Sequence, residues 1–64
     1  MSKKKIGEAI AAARKEQGIS IRELAAKSGR DTRAVQAVIG GKYSYGIDTL
    51  TDIAAALGLK VELR

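Results

Sequence analysis

A chain of 64 residues with no cysteine and no histidine holds one small core, without disulfides, thiolate metal sites or imidazole acid–base chemistry. Twelve Lys and Arg against seven Asp and Glu give a net charge of +5, and the excess sits in the first two thirds of the chain, an asymmetry that points to a basic face for a polyanion. No apolar run approaches the ~18 residues of a membrane span, and the N-terminus lacks the apolar stretch of a secretory leader, so the expectation is a soluble, non-secreted, cytoplasmic protein.

Helix signals are dense along a single domain of residues 1–64. Residues 3–17 place Ile6, Ala9, Ile10 and Ala13 on one face at helical spacing, and Gly18 supplies a stop. The three lysines at 3–5 read as a basic N-terminal arm over residues 1–5, a frayed and solubilising end that could also trail along a nucleic-acid backbone. In "ISIREL", Ser20 and Glu23 have the spacing of a capping box, and Ile19 and Leu24 that of a hydrophobic staple. A second helix is therefore expected over about residues 21–28, stopped by Gly29.

Asp31 is placed to cap a third helix over about 32–39, ended by Gly40, and Asp48 a fourth over about 49–57, ended by Gly58. Ile47, Leu50, Ile53, Ala54 and Leu57 form the buried stripe of that last helix. From Leu59 the period changes. Leu59, Val61 and Leu63 alternate with Lys60, Glu62 and Arg64, the repeat of a half-buried strand, so residues 59–64 read as a short extended tail. A lone strand must find a partner for its backbone, and pairing of two chains through residues 59–63 is one solution. The fold class expected is an all-α compact bundle of four to five short helices with that tail.

The third helix is two-faced. At about 100° per residue, Thr32, Arg33, Gln36 and Ala37 fall on one side, whereas Ala34, Val35, Val38 and Ile39 fall on the other. By itself such a face is an ordinary solvated one. The preceding segment changes that reading: about two residues separate the second and third helices, Gly29 can adopt the positive φ of a sharp turn, and Ala25 is small enough for a steep crossing. This is helix-turn-helix spacing, which presents its second helix outward.

With these residues the chain resembles the Cro/C1-type, lambda-repressor-like DNA-binding domains over about residues 6–59. "ISIRELAAKSG" is similar to that family's second helix, "DTRAVQAVIGGK" to its recognition helix with the following Gly-Lys, and "IDTLTDIAAALGL" to its closing helix. The resemblance implies sequence-specific binding of double-stranded DNA in the major groove, as a transcriptional regulator or repressor of bacterial or phage type. It assigns base contacts to Thr32, Arg33, Gln36 and Ala37: Arg33 suits guanine O6 and N7, Gln36 suits adenine N6 and N7, and Ala37 and the Thr32 methyl suit a thymine methyl. Candidate phosphate contacts are Arg22, Lys27, Arg30, Lys42, Tyr43 and Ser44, together with the backbone N–H groups of Ile21 and Arg22.

The chain departs from the family at several positions. Ile21 replaces a commonly polar residue, and Ser28 and Arg30 replace commonly apolar ones. Ile39 stands where an acid often pairs with a first-helix arginine, which leaves Arg14 without that partner, and Tyr45-Gly46 stands where proline is common. No catalytic residue set, metal site, cofactor or small-molecule substrate is expected, and the chain is not expected to be an enzyme. Alanine clusters at 11–13, 25–26 and 54–56, with no Cys, His, Pro, Phe or Trp, read as a computationally designed sequence on a natural scaffold, which would bind a chosen DNA target. The alternative from another class is an antitoxin-like, dimeric protein-interaction module that uses residues 59–63. Monomer and homodimer both remain open.

Overall fold

A computed structural model describes residues 3–42 and 45–60. They form four helices and no strand: α1 (Lys3–Gln17), α2 (Ile21–Ser28), α3 (Thr32–Ile39) and α4 (Ile47–Ala56). The fold is all-α, as expected. Its core is Ile10, Ile19, Leu24, Ala25, Val35, Val38, Leu50, Ile53, Ala54 and Leu57, drawn from every helix, with Ile6, Ala13, Ile21, Ile39 and Tyr45 packed around it. No polar or charged side chain among the described residues is fully buried.

The basic segment at the start is helical rather than frayed, because α1 begins at Lys3. Three lysines and no acid occupy its first turn, where the helix dipole favours the opposite charge. The inward face carries Ile6, Gly7, Ile10 and Ala13, whereas Ala9, expected among them, is exposed. Gly7 takes its place for a steric reason. A β-carbon there would stand 2.6 Å from the Val38 carbonyl oxygen and closer still to that of Ile39, so only glycine lets the α1 and α3 backbones touch.

At its other end α1 is tied to two elements. The Arg14 guanidinium donates to the Ile19 carbonyl (3.0 Å), and the Gln17 amide donates to the Leu57 carbonyl (2.9 Å). Arg14 Nε is buried and meets no acceptor among the described residues, in keeping with Ile39 in place of an acid.

The capping box at α2 is formed. Ser20 Oγ accepts from the Glu23 N–H at 3.0 Å, and Glu23 Oε1 accepts from the Ser20 N–H at 3.3 Å. Ile19 and Leu24, on either side of the cap, are both buried. The helix closes at Gly29, with φ +70°, where the Arg30 N–H donates to the Ala25 carbonyl at 3.0 Å and the Gly29 N–H to that of Ala26 at 3.3 Å. This pair of bonds reverses the chain within two residues. Ala25 is buried, where its small side chain lets α2 and α3 pack closely.

Asp31 Oδ1 accepts from the Ala34 N–H at 2.8 Å and so caps α3. The helix runs Thr32–Ile39 and is ended by Gly40, as expected; Gly40 stays right-handed (φ −77°), and the left-handed residue is the next one, Gly41 (φ +69°). At α4 the structure corrects the expectation. The N-cap is Gly46, with no side-chain hydrogen bond, and the helix runs Ile47–Ala56. Asp48 therefore lies inside the first turn, where its charge meets the positive end of the dipole without capping. The shift also moves Ile47 out of the buried stripe. As the first helical residue it lies at the tip of α4, beyond the core, and is 47 % exposed.

Leu59 and Lys60 follow α4 and are exposed. The rest of the expected strand, residues 61–64, lies outside the described residues. Two substitutions test the packing. Gly29→Val should destabilise through positive-φ strain, and Gly7→Ala through overpacking against the α3 carbonyls, by about 1–3 kcal/mol each. Urea unfolding measures both, and unchanged midpoints would contradict the turn and the close approach respectively.

Candidate nucleic-acid interface

The outward face of α3 is set by what its inward face buries. Val35 and Val38 are wholly inaccessible, and the helical period then turns Thr32, Arg33 and Gln36 to solvent, with Ala37 half-buried at the margin. All four residues assigned to base contacts thus lie on the side of α3 away from Val35 and Val38, on a helix of eight residues, about 12 Å long. With side chains an α-helix is about 10–12 Å across, which matches the width of a major groove.

Beside this face lies an open concavity lined by Arg33, Ala34 and Ala37 of α3 and, across from them, by Tyr45, Gly46 and Thr49. The second wall was not legible in the sequence. Thr49 shows no special local pattern and reaches the site because the start of α4 folds back beside α3. Tyr45 packs on the core and lies under the Lys3 ammonium, 4.3 Å from the ring centroid.

The described phosphate candidates fall into three groups. Arg22 and Lys27 of α2 and Lys42 just beyond α3 are exposed, and, like Arg33, they make no ion pair among the described residues. The backbone N–H groups of Ile21 and Arg22 lie in the first turn of α2, where the Ser20–Glu23 box does not use them, and the Ile21 side chain packs against the core. Arg30 differs. Its Nε and Nη2 both donate to Asp52 Oδ2, at 3.0 and 2.6 Å, which spans from the α2–α3 turn to α4. Tyr43 and Ser44 lie outside the described residues.

Charge is divided between the elements. The exposed cations Arg22, Lys27, Arg33 and Lys42 lie on or next to α2 and α3, whereas α4 carries Asp48 and Asp52 and no base. Two short helices joined at a left-handed glycine, the second with a polar and basic outer face, make a helix-turn-helix. The model of the Helix-turn-helix family matches residues 10–63.

The chain belongs to the Cro/C1-type helix-turn-helix family. It is a DNA-binding domain of the transcription-regulator type. No curated protein matches the chain closely enough to count as a relative. In this helix-turn-helix domain α2 and α3 are the paired helices, and residues 3–9, the first two turns of α1, precede the matched segment. No helix among the described residues is long and apolar enough to cross a membrane.

The Arg30–Asp52 pair is an ionic strut between the α2–α3 turn and α4. Its side chains are 34 % and 48 % exposed, so water screens most of its Coulomb energy. A double-mutant cycle on Arg30→Ala and Asp52→Ala should return a coupling of about 0–1 kcal/mol in thermal unfolding. A coupling several times larger would contradict the screened geometry.

Proposed function

We propose that this domain binds double-stranded DNA sequence-specifically, with α3 as the recognition helix in the major groove, and that it acts as a transcriptional regulator. The observation that carries this reading is the rotation of α3: wholly buried Val35 and Val38 on one side, exposed Thr32, Arg33 and Gln36 on the other. Arg33 presents a planar fork of donors that fits guanine O6 and N7. Gln36, one turn away, offers a donor and an acceptor that fit adenine N7 and N6. Ala37 and the Thr32 methyl supply small apolar contacts for thymine.

Phosphates on either side of the groove are taken by Arg22, Lys27 and the α2 N-terminal N–H groups, and by Lys42 with Tyr43 and Ser44. Arg30 would join them only by giving up Asp52, which makes it the weakest contributor of the set. The segregation of charge supports one orientation of approach. The duplex meets α2 and α3, and the acids of α4 stay remote from it.

With about four to six phosphates neutralised, log affinity should fall against log salt with a slope of roughly −4 to −5. Lys42→Ala should weaken all duplexes alike and flatten that slope by about one. Arg33→Ala and Gln36→Ala should leave folding within about 0.5 kcal/mol but cost about 1–3 kcal/mol at a preferred site selected from a random duplex library. Each should relax one position, guanine for Arg33 and adenine for Gln36. Binding profiles over all single-base variants of that site test this, and unchanged base preferences in both variants would remove α3 as the reading head.

Self-association is a second reading. Leu59 is 38 % exposed immediately after α4, which favours pairing of two copies through residues 59–63. Sedimentation equilibrium at high concentration should then show dimers that Leu59→Lys abolishes. A strict monomer would refute it.

A further inference from the structure

Two contacts join the start of α1 to the end of α3, and both are made by backbone. Gly7 is buried, and a β-carbon on it would stand 2.6 Å from the Val38 carbonyl oxygen, with the Ile39 carbonyl nearer still. One turn back along α1, the Lys4 Cα and nitrogen would lie 3.0 and 3.3 Å from a β-carbon on Gly41. Lys4 and Gly7 share one face of the helix.

The stretch they meet is where α3 closes. The Gly41 N–H donates to the Val38 carbonyl at 3.1 Å, and the Lys42 N–H to that of Ala37 at 3.0 Å. The carbonyl that faces Gly7 is thus one that ends the helix. For its part, α1 is anchored by Ile10 in the core and by the hydrogen bonds of Arg14 and Gln17. Its half of the contact, Lys4 and Gly7, lies ahead of the matched residues 10–63.

From this geometry we infer that Gly7 and Gly41 are positioning residues for base reading: the backbone seat they form sets the tilt of α3, and with it the depth at which Gln36 meets a base edge. The inference rests on the reading of α3 as the recognition helix. An alanine at position 7 has to push the Val38 carbonyl away by about 1 Å to reach ordinary van der Waals contact. The other end of α3 is held at the Gly29 turn, so this eight-residue helix, pushed at its last turn, tilts as a rod. Gln36 stands nearer the pushed end than Arg33 and moves further. Paired hydrogen bonds to a base hold only within about 0.5 Å of donor–acceptor distance, whereas a lysine on a flexible stem re-aims at its phosphate. The signature is lost discrimination with electrostatic affinity retained.

The test uses the full chain carrying Gly7→Ala or Gly41→Ala, with Gly18→Ala as the control. Gly18 has φ +67° against +69° at Gly41, but a β-carbon on it meets nothing within 4 Å, so its substitution brings the backbone strain without the contact. Fluorescence anisotropy would compare a duplex selected with the parent and a random duplex, at a temperature where circular dichroism shows each variant folded. Gly7→Ala should lower the ratio of the two affinities about tenfold and relax the adenine position more than the guanine position. Its affinity for the random duplex and its salt slope should match the parent's. Gly41→Ala, whose approach is milder, should lower the ratio about threefold, and it remains the readout if Gly7→Ala does not fold. Gly18→Ala should keep the parent ratio. A ratio unchanged in Gly7→Ala and Gly41→Ala, or lowered equally in Gly18→Ala, would overturn the inference and leave the DNA reading intact. A parent that prefers no sequence would overturn that reading and this inference with it.

Discussion

Burial of Val35 and Val38 is the constraint on which the rest depends. A helix of eight residues is too short to persist alone in water, so α3 exists because these two side chains are removed from solvent. The same burial sets the helix's rotation about its axis. Once that is set, Arg33 and Gln36 have no choice of direction. Stability and the recognition proposed for α3 are therefore two faces of one packing decision: under that proposal, outward residues change what is read without changing what is folded.

Three supports hold α3 at that rotation. The tight reversal at Gly29 brings it against α2 over Ala25, and Gly7 lets the α1 backbone meet the carbonyls of Val38 and Ile39. The third is α4, which buries Leu50, Ile53 and Ala54 in the shared core. Backbone contact at Gly7 is stiffer than side-chain packing, because a carbonyl in a helix cannot swing aside. The C-terminal end of α3, and with it the position of Lys42, is thereby fixed against α1. The Arg30–Asp52 strut crosses from the turn to α4 on the surface, where solvent weakens it.

Much of this was legible in the sequence because the signals were local. Ser20 with Glu23, Asp31, Gly29 and the valine pair act within one or two helical turns, and the structure uses each as its chemistry suggests. What escaped the sequence depended on contacts between distant segments. Gly7 looks like a weak point in a helix until α3 lies across it. Ala9 and Ile47 have apolar side chains at plausible spacings, yet neighbouring elements do not reach them. Asp48 resembles a cap, but the backbone of Gly46 opens α4 two residues earlier. Thr49 and Tyr45 enter the interface only through the path of the chain after α3.

The central claim, that the rotation imposed by Val35 and Val38 turns α3's polar face onto DNA, is tested most directly by NMR titration of the isotope-labelled domain with a duplex selected for tight binding. The expected result is that intermolecular contacts and the largest shift changes fall on Thr32, Arg33, Gln36 and Ala37, with Thr51, Asp52 and Ala55 on α4 unaffected. Perturbations centred on α4 or on the residues after it, with the α3 side chains unmoved, would contradict the account.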